Sequence, residues 1–221
     1  MDSRPRPGCR SSDLRARGEP TARDTPAEPT GAYLDTNVLR DFLDGVSDPC
    51  SPDRRPGTPP ATARAQLAAV RLVLYAPNRA WDLWVSEEGR DELRSYDERH
   101  GYGDWTATLF EDADWVEGAV PAEQVRGQGR RYQRQLDLDE RHEADMEHLA
   151  RAALTPWISV FVTNDGPLRR RARRLDDPAV QGLAVYSTLE AEVALAIRPG
   201  ERPKRGFHPT HPLAGTGWWK L

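Results

Sequence analysis

The chain has little cysteine and no long apolar run, and both features narrow the classes of protein it could belong to. Cys9 and Cys50 are its two cysteines, and their spacing fits neither a zinc motif nor a disulfide framework. No segment has the apolar length that a membrane span or a secretory leader requires. A glycine-rich phosphate loop is also missing. We therefore expect a cytoplasmic protein without membrane association.

The net charge of the chain excludes few classes of protein. A formal net charge of −4 over 221 residues argues against a protein that coats nucleic acid. A nuclease remains compatible with this charge, because it needs only a local basic rim around an acidic site. The length is that of a single domain, or of one domain with appendages.

Proline and polar residues are concentrated at the two ends and in one internal segment. Residues 1–30 have almost no large apolar side chains, so we predict a disordered tail. A folded domain is predicted over 31–197. Within it a first helix ends at Gly45, and a proline-rich insert covers 46–62. Residues 198–221 are predicted to form a C-terminal tail.

Short apolar runs alternate with amphipathic stretches through the folded part. Strands are predicted at 32–34, 81–85, 115–120, 158–162 and 184–186. Helices are predicted at 37–43, 64–75, 86–98, 123–135, 139–154, 167–175 and 187–197. Such alternation favours crossover connections and a parallel sheet covered on both faces. The fold class predicted is therefore α/β, with a three-layer α/β/α arrangement around a central parallel sheet.

Acidic residues occur at places where a fold of this class positions functional groups. Asp35 and Asp165 each follow an apolar run, and the carboxyl ends of parallel strands are where ligands bind in open α/β sheets. Asp145 borders the apolar stripe of a helix. Carboxylates gathered from distant segments repel one another unless a cation lies between them. Oxygen ligands favour Mg²⁺ or Mn²⁺ over Zn²⁺, so we predict a divalent-metal site.

Each of these three acids also has a structural explanation that stays open. Asp35 and Asp165 both precede a helix, where aspartate is a common N-cap. Asp145 would be stabilised at the edge of a buried face by an ion pair with Arg141 or Arg151.

A fourth acid is predicted from a charge-rich helix. Glu92 and Glu88 are one helical turn apart, and either could complete the metal site. A solvated helix face would explain both equally well. His148 shares the helix face of Asp145, but a lone helical histidine is more often a packed group than a ligand.

A run of arginines follows Asp165. We predict that Arg169, Arg170 and Arg173 contact RNA phosphates at a rim beside the metal site. Consecutive residues cannot share one helical face, so not all arginines of the run can contact one ligand. A solvated helix surface is the alternative.

Together these segments resemble the PIN-domain family over residues 31–197. The segments that carry the resemblance are Tyr33 to Leu39, Glu92-Leu93, Asp145 to Ala152, and Val162 to Asp165. Four motifs in this order, in matching strand and helix contexts, form a fairly specific signal.

The resemblance implies a compact α/β/α fold and a ribonuclease centre that depends on Mg²⁺ or Mn²⁺. By matching position, it implies that Asp35, Glu92, Asp145 and Asp165 bind the metal, with Thr163 as an accessory polar residue. Many bacterial members of the family are toxins of toxin–antitoxin pairs. The expected partners are thus an RNA substrate, an antitoxin or another inhibitory protein, and a second copy in a homodimer.

Three features depart from the family pattern. The chain is longer than the compact toxins, it carries the insert at 46–62, and Glu87 and Glu88 lie near the second motif. The alternative function is therefore a non-catalytic PIN-like module that binds RNA or a protein.

Overall fold

The structure is a computed structural model that describes residues 30–47, 60–100, 114–115, 119–198 and 200–203. Most of the predicted N-terminal tail, the centre of the predicted insert and the last eighteen positions, 204–221, lie outside the described residues.

A five-stranded sheet forms the centre of the fold, and every strand pair in it is parallel. The strand order is β3-β2-β1-β4-β5. The strands are β1 (Thr30–Leu34), β2 (Trp81–Val85), β3 (Asp114–Trp115), β4 (Ile158–Val162) and β5 (Ala184–Tyr186). The prediction of a central parallel sheet is confirmed.

Helices connect the strands. They are α1 (Thr36–Ser47), α2 (Pro60–Tyr75), α3 (Glu87–His100), α4 (Ala122–Gln135), α5 (Glu143–Leu154), α6 (Gly166–Ala172), α7 (Pro178–Gln181) and α8 (Thr188–Ala194). Short 3-10 turns cover Ala76–Arg79 and Glu140–His142.

Two hydrophobic cores lie on opposite faces of the sheet. Alternation along β1 sends Ala32 and Leu34 to one core, where α1, α2, α3 and α8 pack. Tyr33 points to the other core, against residues of α4, α5 and α6. Since each face of the sheet is covered by helices, the three-layer α/β/α arrangement predicted from the sequence is confirmed.

Several element boundaries were predicted wrongly. Helix α1 continues past Gly45 to Ser47, and α2 already begins at Pro60, so both ends of the predicted insert are helical. The described part of strand β3 includes Asp114, before the predicted start, and residues 119–120 at the end of the predicted strand are not in it. Short polar segments around these points carry weak periodicity, which explains the errors.

Gly31 permits the close pairing of β1 with β4. A Cβ at this position would lie 2.1 Å from the carbonyl oxygen of Trp157, so any side chain would force the strands apart. The strand register shifts between Gly31 and Ala32 at this contact. As a result, Leu34 lies opposite Val162, and the residues that follow these two strands are brought together.

The start of the predicted C-terminal tail contacts the domain. Glu201 accepts a hydrogen bond from Arg79 Nη2 at 2.6 Å, and its carbonyl oxygen accepts from the Tyr75 hydroxyl. No helix in the described part of the chain combines the length and the apolar character needed to cross a bilayer.

Candidate metal centre

Asp35 is held at the carboxyl end of β1 by three donors. Its backbone N–H extends the ladder to the Val162 carbonyl oxygen at 3.0 Å. Oδ1 accepts from the backbone N–H of Thr36 at 2.8 Å, and Oδ2 accepts from the hydroxyl of Thr163 at 2.6 Å. The side-chain amide of Asn37 also donates to Oδ2. The carboxylate is buried, and hydrogen bonds to both of its oxygens fix the side-chain rotamer.

Thr163 links the two acids that follow β1 and β4. Its buried hydroxyl donates to Asp35 and accepts from Asn37 Nδ2 at 3.0 Å and from the backbone N–H of Asp165 at 3.1 Å. Every hydrogen-bonding capacity of the hydroxyl is therefore used. The structure places Thr163 between the carboxylate of Asp35 and the backbone N–H of Asp165.

Asp165 is also the N-cap of α6. Its Oδ1 accepts from the backbone N–H of Leu168 at 2.9 Å. The capping role raised as an alternative is thus present, and it leaves the second carboxylate oxygen available for another contact.

Asp145 lies in the first turn of α5, half-buried, and the other two acids act on it electrostatically. Burial raises the pKa of the Asp145 carboxyl, and the carboxylates of Asp35 and then Asp165 raise it further. Arg171 Nη1 lies 3.7 Å and His142 Nδ1 lies 3.6 Å from its Oδ2. Three carboxylates from separate segments therefore share one region at the carboxyl edge of the sheet.

The basic residues that contact Asp145 differ from the two arginines considered in the sequence analysis. Arg141 pairs with Asp139 at 2.6 Å, and Arg151 pairs with Glu88. Both arginines therefore have other acidic partners.

The two glutamates of α3 have different surroundings. Glu92 lies near Arg40 Nη2 at 3.3 Å and near His148 Nε2 at 4.0 Å. His148 is the main cause that lowers the pKa of Glu92, against the opposing effect of burial. Glu88 instead pairs with Arg151. Glu92 is therefore the glutamate connected to the acid region, because His148 is itself influenced by Asp35.

His148 is a buried member of this region whose contacts the sequence analysis did not identify. Its Nδ1 lies 2.8 Å from the hydroxyl of Tyr33. Burial lowers the pKa of His148, but Tyr33, Glu92 and Asp35 raise it more, so it lies well above its ordinary value. One feature of the sequence could have indicated this contact. Tyr33 lies two residues before Asp35 in β1, and its side chain belongs to the core that contains residues of α5.

The arginines after Asp165 face different directions. Arg169 Nη1 donates to the Thr163 carbonyl oxygen at 2.7 Å. Arg173 Nη2 lies 3.7 Å from Glu190, and Arg170 is exposed beside Gly166. Arg171, which was not among the predicted phosphate contacts, is the one at Asp145.

The acid region provides the donor chemistry of a hard divalent cation, since its carboxylate oxygens come from Asp35, Asp145 and Asp165. Among the residues that the structure describes, no three Asp, Glu, His or Cys side chains stand close enough together to hold an ion. Mg²⁺ commonly takes only one or two carboxylates, with water and phosphate oxygens completing its shell. An ion in this region would therefore depend on a pair of these acids for its protein ligands.

Comparison of the chain with protein-family models, with curated proteins and with solved structures finds no match.

Proposed function

We propose that this chain is a PIN-like endoribonuclease that depends on Mg²⁺ or Mn²⁺. One observation carries the proposal: the Thr163 hydroxyl joins Asp35 and Asp165 at the carboxyl ends of β1 and β4, and burial and then these two carboxylates raise the pKa of Asp145. Acidic side chains that lie close together repel one another and destabilise the fold unless a cation lies between them. Ion pairs that only stabilise the fold would not require three acids in one region.

In this proposal Asp35 and Asp165 bind the metal, and Asp145 and Glu92 are the other acidic side chains near it. A divalent ion would supply charge neutralisation at the scissile phosphate and a more acidic water. The chain's own contribution is orientation. Thr163 and Asn37 hold the Asp35 carboxylate in one rotamer, so little reorganisation is needed when substrate binds.

The rival proposal is a non-catalytic module that binds RNA or a protein. It has support in the contacts of Asp145, whose charge already has two basic neighbours, Arg171 and His142. Binding of RNA without any cleavage would favour this alternative. The predicted antitoxin and the second copy of a homodimer remain proposals as well.

Cleavage of a labelled single-stranded RNA by the purified chain, with Mg²⁺, with Mn²⁺ and with EDTA, tests the nuclease proposal. The most informative variant is Asp145→Asn, because it removes a negative charge that the carboxylates of Asp35 and Asp165 repel. We expect it to fold with equal or greater stability and to lose divalent-dependent cleavage.

Asp176→Asn is the matched control, since Asp176 is exposed and its side chain contacts Gln181 instead. It should cleave as the natural chain does. Full cleavage by Asp145→Asn, or equal cleavage in EDTA, would refute the proposal.

A further inference from the structure

The outer face of α4 carries a stripe of arginines outside the acid region. Arg126, Arg130 and Arg134 follow one another at intervals of four residues, and all three are exposed, whereas Val125 and Tyr132 of the same helix are buried. The helix contains four arginines but only one acid. Neither Arg126 nor Arg134 forms an ion pair with a described residue. In a chain of net charge −4, this face therefore concentrates positive charge.

An open groove of about 940 Å³ runs beside the stripe, between α4 and the segment that connects α4 to α5. Its charged lining residues are three arginines and three acids, Arg130, Arg134, Arg141, Asp139, Glu140 and Glu143. Asp139 pairs with Arg141 at 2.6 Å, and Glu143 pairs with Arg130 at 3.5 Å. The four side chains of these pairs are all at least 43% exposed. Exposed ion pairs contribute little to stability, so a phosphate can take the place of either carboxylate.

The groove leads toward the acid region. Glu143 is both a lining residue of the groove and the first residue of α5. Asp145 lies in the same first turn of that helix. A chain molecule that follows the groove toward α5 is therefore directed to the proposed catalytic centre.

Gly127 is an exposed glycine within α4 that internal packing does not require. A Cβ at Gly127 would have no atom within 4 Å, whereas a Cβ at Gly129 would lie 3.2 Å from Glu147 Cγ. Glycine destabilises the interior of a helix relative to residues with a side chain. Gly127 also lines the groove, where the missing side chain leaves room for the backbone of a ligand to approach α4.

We propose that the outer face of α4 and the groove beside it bind the sugar–phosphate backbone of single-stranded RNA. Four residues of a helix rise about 6 Å, so the stripe presents a guanidinium at regular intervals to successive phosphates of one strand. The planar fork of a guanidinium matches two phosphate oxygens. Such contacts hold the strand in position and do not read its bases. The inference rests on the proposed function for the choice of RNA as the ligand.

Binding measured in EDTA tests the inference without cleavage. The probe is a fluorescein-labelled single-stranded RNA of about 12 nucleotides, within the usual site size of such proteins, and its anisotropy reports binding. Arg130→Ala with Arg134→Ala should lower the slope of log affinity against log salt by about 0.7 per lost contact. At about 0.1 M salt this corresponds to about fivefold weaker binding for each contact.

Arg64→Ala with Arg94→Ala is the matched control, because it removes the same charge from exposed positions of other helices. Its affinity and slope should equal those of the natural chain. If the double variant of α4 does not fold, Arg134→Ala alone replaces it, since Arg134 is exposed and forms no ion pair with a described residue.

Gly127→Gln provides a readout that a merely structural role would not give. Glutamine is a better helix former than glycine, so the melting temperature should rise. The new side chain occupies the groove, so RNA binding should weaken at the same time. A gain in stability without a loss of RNA affinity would contradict the close approach of RNA to α4.

Three results would overturn the inference as a whole. They are an unchanged RNA affinity when Arg130 and Arg134 are replaced, an equal loss in the control pair, and equally tight binding of a poly-glutamate peptide of the same charge. The last result would make the face a site for acidic protein segments.

The outcome is separate from that of the proposed nuclease. Arginine-dependent RNA binding in EDTA, with no cleavage in Mg²⁺ or Mn²⁺, would support the α4 face and remove the nuclease. Divalent-dependent cleavage together with RNA binding that is independent of Arg130 and Arg134 would do the reverse.

Discussion

The hydroxyl of Thr163 lies 2.6 Å from Oδ2 of Asp35, although the two residues are 128 positions apart along the chain, because β1 pairs with β4. This contact positions a carboxylate from a neighbouring strand, and it is one of several hydrogen bonds between the first and last motifs of the chain.

Replacing Thr163 with valine should impair both stability and activity. Valine keeps the shape, but it removes the acceptor of the Asp165 N–H and one of the two acceptors of the Asn37 amide, which also donates to Asp35. We expect a loss of about 1–3 kcal/mol in the free energy of unfolding, as for buried groups left unpaired. Urea unfolding and Mg²⁺-dependent cleavage measure the two effects.

Thr163→Ser is the matched control, because it keeps the hydroxyl. It should retain most of the cleavage rate. If Thr163→Val cleaves RNA as fast as Thr163→Ser, the hydroxyl does not position Asp35.

The two glutamates of α3 should differ in what their loss affects. Glu92→Gln removes the acid that lies near His148 and should lower divalent-dependent cleavage by at least about tenfold. Glu88→Gln should affect stability more than cleavage, because it leaves the mostly buried Arg151 without its ion-pair partner. Parallel cleavage and unfolding measurements check this. The opposite pattern would make Glu88 the acid of the site.

The predicted phosphate contacts are best tested on the two exposed arginines. Arg170→Ala with Arg173→Ala should weaken binding of all RNA sequences alike. The slope of binding against salt should fall by about 0.7 per lost contact on single strands. Arg169 is left in place, because its donation to the Thr163 carbonyl oxygen supports the loop.

Arg64 and Arg94 are exposed arginines of α2 and α3 and provide a control with the same change in charge. Replacing both with alanine should leave the slope unchanged. Equal slopes for the two double variants would assign Arg170 and Arg173 to the solvated surface.

Asp41 gives a pH-dependent prediction outside the acid region. Burial raises its pKa above the ordinary 3.8, Asn164 lowers it by a hydrogen bond, and Asp44 raises it. When the pKa of an acid is higher in the folded state than in the unfolded state, its protonated form stabilises the fold at pH values below the unfolded-state pKa. This contribution is lost as the pH rises through the folded-state pKa. Asp41→Asn should therefore be more stable than the natural chain at pH 7, with the difference shrinking toward pH 4.

Urea unfolding of both proteins between pH 4 and pH 7.5 measures this difference. Asparagine keeps an oxygen that can accept from Asn164 Nδ2, which lies 2.5 Å from Asp41. A stability difference that does not vary with pH would contradict the role of Asp41 ionisation.

The fold class follows from the pattern of the sequence, and so does the expectation that Asp35 and Asp165 lie at one edge of the sheet. All residues of the run 158–162 except Ser159 are buried, and such a run favours a parallel sheet covered by helices. Asp35 comes after β1 and Asp165 comes after β4. Once these two parallel strands pair, both residues lie at the same edge of the sheet. The local order of residues was therefore sufficient to predict this part of the arrangement.

Which charged side chain contacts which partner depends on the packing of the helices and is not evident from the sequence. In a helix dense in charge, the face turned inward depends on what packs against it, and the charge pattern does not reveal it. That is why Arg171, and not Arg169, meets Asp145, and why Glu92 approaches His148 while Glu88 approaches Arg151. These pairings join residues far apart in sequence, so their identity depends on the packing of α3, α5 and α6 around the sheet edge.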